Sequence, residues 1–334
     1  MKKNNDLWNI SNRPSTKTKL EILEKVFDIW LTIWNKQNWI SNEWYVLDLF
    51  AGPGKYFDKN ETVNGSPLIF LKKISDKINK LRSDITIRLF LVEIDNKTFK
   101  ELNKNVKNFI ENSRSIKKIV DVELINDDCN NVIKDILSKI PNNKNHPLFI
   151  FIDPTGLQIK KNTIMEIVNL QNPKDIIFNY ILEGVRRTTG IAKKVQYKKT
   201  VNIKEIKTAQ TLQEFIGENV DYLLNKSDIE ILEQYCSIFT SNKLKVVAYD
   251  VKYANRNDTL YYLLFAVKNT NVSNIVKDIC ARQKEKESGK TLFGGRDFYI
   301  NAILTMEPNI IEINRKSLLY KTKVEYGNWT INHI

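Results

Sequence analysis

From residue 45 to residue 181 the sequence alternates short apolar runs with amphipathic stretches, and no other feature constrains its fold as strongly. Tyr45-Val46-Leu47-Asp48-Leu49-Phe50 reads as a short buried strand. Ser66-Pro67 reads as the N-cap and first residue of a helix running to about Lys80. Ile85–Val92, Val120–Ile125, Leu148–Ile152 and Asp175–Ile181 supply further strand patterns, with helical patterns over Asn96–Asn112 and Cys129–Ser138 between them. Strands and helices alternating at this spacing imply an α/β fold with a parallel, doubly wound sheet and right-handed crossovers.

Ahead of this region, Lys17 to Asn38 places Leu20, Ile22, Leu23, Val26, Phe27, Ile29, Trp30, Ile33 and Trp34 at helical spacing. Such a wide apolar stripe predicts a helix packed on the core. Past residue 185 the alternation stops. Residues 186–242 carry helical patterns at Lys204–Phe215 and Ile229–Phe239 but no strand. Two strands return at Leu244–Tyr253 and Leu260–Val267, joined as a hairpin through residues 254–259, and a helix follows over Val272–Lys286. The expected organisation is a helical segment at 1–42, an α/β core at 43–185 and 243–287, a basic helical insertion at 186–242, and a C-terminal segment at 288–334 without a clear pattern. Five parallel strands and a late hairpin resemble the Rossmann-like fold of class I S-adenosylmethionine (SAM) methyltransferases. A dinucleotide-dependent dehydrogenase does not need that hairpin.

The ends of the predicted strands carry the chemistry. Asp48-Leu49-Phe50-Ala51-Gly52-Pro53-Gly54 closes the first one. Glycines there let the backbone turn tightly and approach a ligand at the carboxyl edge of the sheet, where open α/β folds bind small molecules. An acid four residues before the first glycine suits a cationic amino-acid group and would repel a pyrophosphate. The third glycine of a dinucleotide fingerprint is replaced by Phe57.

Glu93-Ile94-Asp95 ends the second strand, where a carboxylate can accept both ribose hydroxyls of an adenosine cofactor. Glu93 is preferred for that role, with Asp95 also readable as the N-cap of the next helix. Asn126-Asp127-Asp128-Cys129 follows the third strand. Asp128 could accept from an adenine amino group with Cys129 beside the ring, or could simply cap a helix. Acids ending three neighbouring strands would line one crevice, and that convergence favours the cofactor reading.

After the fourth strand stands Asp153-Pro154-Thr155-Gly156. In a methyltransferase-like fold Asp153 would face the methyl acceptor, with Pro154 and Thr155 beside it. Amino-group methyltransferases carry Asp/Asn-Pro-Pro-aromatic here, and this chain lacks the second proline and the aromatic. Cytosine-C5 chemistry needs a thiolate in a Pro-Cys pair. None of Cys129, Cys236 and Cys280 follows a proline, so that reading is rejected.

Taken together, these residues resemble the three-Cys-motif partner protein (TcmP) family. The resemblance rests on residues 16–23 (Thr-Lys-Thr-Lys-Leu-Glu-Ile-Leu), Asp48–Gly54, Gly65-Ser66-Pro67-Leu68, Glu93-Ile94-Asp95, Asp153-Pro154-Thr155-Gly156 and Tyr261-Tyr262-Leu263-Leu264-Phe265-Ala266. It covers about residues 16–280. It implies a methyltransferase-like fold and a gene partner bearing a three-cysteine motif, often in mobile-element settings, and names no substrate. The family usually has an aromatic where Thr155 stands, so the acceptor pocket is not carried over.

Charge enters last. Lys and Arg number 52 against 39 Asp and Glu, a net +13. A chain rich in Asn, Lys and Ile can drift basic with an A+T-rich genome, and excess charge also serves solubility. The placement is more telling. Residues 184–207 hold Arg186, Arg187, Lys193, Lys194, Lys198, Lys199, Lys204 and Lys207 against Glu205 alone, seven of the thirteen net charges. With Tyr197 available for stacking, this stretch could guide a nucleic-acid backbone, DNA or RNA, toward the crevice; a solvated loop or mobile lid is the structural alternative. Well-spaced cysteines without CxxC and only two histidines argue against a disulfide framework and a metal site. No apolar run reaches the length of a membrane span, and Met1 to Asp6 lead into no signal-peptide core, so a cytoplasmic protein is expected. Two functions stay open: a SAM-dependent methyltransferase acting on nucleic acid, and a non-catalytic or partner-dependent module that binds SAM or nucleic acid.

Overall fold

The computed structural model describes residues 8–10, 14–59, 61–197, 202–219, 223, 225–253, 258–288 and 303–306. Lys198, Lys199, the link at 254–257 and most of 288–334 lie outside them. The chain divides into two compact units. The first comprises Met1–Pro154, Leu170–Asn179 and Lys252–Asn257, and the second Thr155–Asn169, Tyr180–Val251 and Asp258–Ile334.

In the first unit, strands β1 (Glu43–Asp48), β4 (Thr86–Val92), β5 (Val120–Ile125), β6 (Leu148–Ile152) and β7 (Lys174–Tyr180, ending at the unit boundary) run in the order β7-β6-β1-β4-β5. Each neighbouring pair is parallel. The chain thus starts mid-sheet, winds outward in one direction, then returns and winds the other way. That reversal makes a doubly wound sheet and leaves a crevice at the carboxyl ends of β1 and β6. Parallel strands are covered on both faces and therefore read as continuous apolar runs, as β6 does with all five residues buried.

Helix α1 (Pro14–Asn35) supplies much of the core. Its Phe27 meets Phe70 and Phe149 edge-on, with ring centroids 4.7 and 5.0 Å away, and its Trp30 meets Trp44 and Phe149 in the same manner. Phe70 belongs to α2 (Ser66–Lys77). The helix predicted from Ser66 begins one residue earlier in register than expected: Gly65 is the N-cap and Ser66 the first helical residue, so its hydroxyl is available for another partner. A hairpin absent from the sequence reading, β2 (Lys55–Asp58) with β3 (Glu61–Asn64), lies between the glycine turn and α2. Its residues are half-buried or exposed and show no apolar alternation to betray it. Helices α3 (Asn96–Asn112) and α4 (Cys129–Ser138) follow β4 and β5.

The second unit holds α5 (Lys161–Val168), α6 (Leu182–Tyr197), α7 (Ile203–Ile216), α8 (Asp228–Thr240) and α9 (Thr270–Ser288). Strands β8 (Lys245–Lys252), β9 (Thr259–Val267) and β10 (Leu304–Met306) lie in the order β10-β8-β9, with β10 antiparallel to β8. Tyr180, Phe215, Tyr235 and Phe239 form its aromatic core. The basic stretch, expected within a helical insertion with a loop or lid as the alternative, is helical in α6 and α7. Leu182, Val185, Thr188 and Ala192 give α6 a narrow buried stripe, and it packs on α7. Five parallel strands in this order, followed by later strands that include an antiparallel pair, make a mixed α/β fold resembling the Rossmann-like class I methyltransferases.

Candidate functional site

The turn after β1 is built around two residues of left-handed backbone, Gly52 (φ +61°) and Gly54 (φ +79°), a region that side chains with a Cβ disfavour. Space adds to the demand: a Cβ on Gly52 would lie 2.7 Å from the Tyr56 hydroxyl. The turn is anchored at its end by Gly65 N–H donating to the Gly54 carbonyl (2.8 Å) and by the Asn105 side-chain amide donating to the Pro53 carbonyl (2.8 Å). At its start Ala51 N–H donates to Val92 O (2.8 Å). Phe50 and Ala51 are therefore held in a fixed path over the ends of β1 and β4.

Asp48, the last residue of β1, is fully buried. One carboxylate oxygen accepts from Phe50 N–H (3.3 Å), and the Ser66 hydroxyl lies within bonding reach of the carboxyl. The other oxygen, Oδ2, has no partner. Burial pushes its pKa up to about 7, against the lowering effect of Ser66 and the Phe50 amide, and the negative charges of Asp153 and Glu93 push the same way. A buried acid with an unused oxygen is costly to keep unless something cationic comes to it.

The register of β4 with β5, Val92 opposite Ile125, sets Glu93 beside Asn126. Glu93 turns toward the glycine turn: Oε2 accepts Gly52 N–H (3.0 Å) and Oε1 accepts Asp95 N–H (2.8 Å). Partial burial raises its pKa, opposed by these two amides. Asp95 caps α3 by accepting from Thr98 N–H and Oγ1, which lowers its pKa. Ile94 between them is 57% exposed, an apolar side chain left on the lip of the crevice. The Asn126 amide donates to the carbonyls of Glu93 (2.8 Å) and Ile94 (3.2 Å), tying the two strand ends together. Asp128 is the N-cap of α4 and accepts from Asn130 N–H (2.8 Å). Cys129 is buried behind it, and burial with the Asp128 charge pushes its thiol up to about 12, which leaves no thiolate for nucleophilic attack.

Asp153 follows β6. Ile152 pairs with Phe178, so Asp153 stands level with Asn179 of β7. Two donors hold its carboxylate: Lys19 Nζ lies 2.6 Å from Oδ1 and 2.5 Å from Oδ2, and the Asn179 amide donates to Oδ1 (2.7 Å). Lys19 comes from the first turns of α1 and is itself 8% exposed. In the sequence Ser66 was read only as a helix cap and motif residue and Lys19 only as part of residues 16–23; neither was assigned to the site, and Asn179 and Tyr56 were not singled out. Pro154 is buried; in the second unit Thr155 is exposed and donates to Gln158 Oε1 through its N–H (3.0 Å) and its hydroxyl (3.2 Å).

In the second unit Arg186 and Lys194 are paired with Asp228 and Glu205. Arg187 and Lys193 are exposed on α6, and Tyr197 at its end is 72% exposed. Among the described residues no group of three or more His, Cys, Asp or Glu is placed to hold a metal, and no helix is long and apolar enough to cross a membrane.

Several solved structures are similar to this chain. LPL1258 of Legionella pneumophila matches at 12% identity over 90% of this chain and 96% of its own, with a TM-score of 0.47. A candidate rRNA methylase of Clostridium thermocellum matches at 10% identity over 67% and 85% (TM-score 0.30), and the precorrin-6y C5,15-methyltransferase of Geobacter metallireducens at 11% over 72% and 87% (TM-score 0.31). Identities this low bear on the fold alone, and at TM-scores below 0.5 they add nothing to the strand order. No protein-family model matches the chain, and no curated protein does. By its strand order the chain has a class I SAM-methyltransferase-like fold.

Proposed function

We propose that this chain is a SAM-dependent methyltransferase acting on nucleic acid. The observation that carries the reading is Asp48: a fully buried carboxyl with an unpartnered oxygen, directly beneath the Gly52–Gly54 turn. That oxygen fits the cationic amino group at the methionine end of SAM. The turn residues Phe50, Ala51, Gly52, Pro53 and Gly54 would bound that end. Glu93 would accept the ribose hydroxyls, the exposed Ile94 would meet one face of the adenine, and Asp128 with Cys129 would border its edge. When bound, SAM supplies a methyl group on a positively charged sulfur. The chain's own part is positioning more than acid–base force: Asp153 would orient the acceptor, and Pro154 and Thr155 would line its approach.

Nucleic acid is the substrate class favoured by the concentration of charge on α6. Arg187 and Lys193 are exposed there to meet phosphates, beside the paired Arg186 and Lys194, with Tyr197 available for stacking. The TcmP resemblance adds a companion protein with a three-cysteine motif, in a mobile-element or defence setting. A second reading, a SAM- or nucleic-acid-binding module whose companion supplies part of the acceptor site, is favoured by Thr155: its exposed hydroxyl offers no flat surface on which to stack a base. Methyl transfer from labelled SAM to total RNA and to total DNA, with and without the companion, separates the two. Label in either polymer with the chain alone supports the enzyme; label only with the companion supports the module. No label in any arm retires the methyltransferase reading.

A further inference from the structure

Helix α7 carries two stripes. Ala209, Leu212, Phe215 and Ile216 are buried and hold it to the second unit. On the other side Ile203, Ile206, Gln210, Gln213 and Gly217 follow one another at i, i+3, i+7, i+10 and i+14, all of them exposed. Alternate spacings of three and four make a seam along which one helix can take another. This seam is apolar at its start and polar at its end. Ile203 is 72% exposed and Ile206 39%, and Tyr197, which closes α6, is 72% exposed. The Lys194–Glu205 ion pair pins the last turn of α6 to the first turn of α7, so the three side chains share one elbow. Among the described residues the other large apolar side chains left exposed are Trp39 and Ile94, both in the first unit. At its far end the seam runs into an open depression lined by Gln213, Gly217 and Asn219.

Charge says what belongs in the seam. Lys204 and Lys207 are exposed next to Ile203 and Ile206 and take part in no ion pair among the described residues. At the far end Glu214 and Glu218 are answered by Lys160 and Lys161. The apolar end is therefore also the end with unanswered positive charge. We infer that the outer face of α7 docks an amphipathic helix of a partner protein, apolar where it meets Ile203 and Ile206 and acidic where it passes Lys204 and Lys207. Nucleic acid would use the lysines but gain nothing from two branched aliphatic side chains, which have no flat face for a base. A helix lying on a membrane keeps an apolar face along its length, whereas this one turns to glutamine at Gln210 and Gln213. A second copy of α7 laid antiparallel would set Ile203 and Ile206 against the glutamines, and laid parallel would set lysine against lysine. The inference concerns the second unit alone and does not depend on the methyltransferase reading.

The test titrates the full chain into fluorescently labelled synthetic peptides and follows their anisotropy. The first peptide is a helix with leucines at i, i+3 and i+7 flanked by glutamates. A second has lysines in place of the glutamates, and a third keeps the composition of the first but scatters its leucines round the helix. The first is expected to bind at least about tenfold more tightly than either of the others. Ile203→Ser with Ile206→Ser should weaken it by about tenfold or more, since both side chains lose an apolar contact. Lys204→Gln with Lys207→Gln should weaken it less and flatten its salt dependence. Should the isoleucine pair fail to fold, Ile203→Ser alone, at the more exposed position, carries the same prediction. No binding of the first peptide, equal binding of the scattered one, or an affinity that the isoleucine change leaves intact overturns the inference. It is also overturned if the isoleucine change instead weakens binding to single-stranded RNA or to phosphatidylserine–phosphatidylcholine vesicles, or dissociates a wild-type dimer in sedimentation.

Discussion

At the scale of single residues, Asp48 controls the account. Its pKa is raised to about 7 by burial, so the folded state holds the proton more tightly than the unfolded chain does. The stability this contributes is complete below the ordinary carboxyl range and is lost as pH rises through about 7. Asp48→Asn escapes that loss. It is expected to be more stable than wild type above pH 7, by one to a few kcal/mol at about 1.4 kcal/mol per pKa unit, and to show little gain at pH 4. Urea melts at both values check this. Gly52 makes a second case. Gly52→Ala places a Cβ in left-handed backbone and against the Tyr56 hydroxyl, and about 1–2 kcal/mol of stability should be lost. Adding Tyr56→Phe relieves the contact but not the backbone strain, so only part of the loss should return in the same melts.

At the scale of elements, α1 links the core to the site. The aromatic stripe of Phe27 and Trp30 seats the helix on Trp44, Phe70 and Phe149, and that seat delivers Lys19 to Asp153. Phe27→Ala, which removes a fully buried ring, is expected to cost about 3–5 kcal/mol by chemical denaturation. Helix α6 makes a different prediction. Arg186 and Lys194 have acidic partners, whereas Arg187 and Lys193 are exposed, so the double change Arg187→Gln with Lys193→Gln should weaken nucleic-acid binding across sequences and flatten its salt dependence by about two phosphate contacts. An unchanged slope in a salt titration would make α6 a solvated helix and nothing more.

At the scale of the molecule, what the sequence made legible was local. The apolar runs of the five strands, the glycine turn and the helix starts at Asp95 and Asp128 are local features, and patterning or capping chemistry declares them. Ser66 was misread by one position because Gly65 takes the cap, and the hairpin after the turn was missed because its four-residue strands are polar and half exposed. The Lys19–Asp153 ion pair was invisible for a different reason. Lys19 and Asp153 are 134 residues apart, and nothing near either one hints at the other until α1 is seated. Within the expected helical insertion the helical pattern was read only from Lys204 onward, because the apolar stripe that α6 turns toward α7 is narrow.

The measurement that bears most directly on the whole account is a calorimetric titration of the wild-type chain and Asp48→Asn with SAM between pH 5.5 and 8.5. A cation arriving at the unused Asp48 oxygen displaces its proton, so wild-type affinity should rise by up to tenfold per pH unit below about 7 and level off above it. Asp48→Asn, folded and at least as stable, should bind at least tenfold more weakly at pH 8 and show no such rise. Absence of binding by the wild type, or an affinity that Asp48→Asn leaves unchanged, would contradict the assignment of this crevice to SAM.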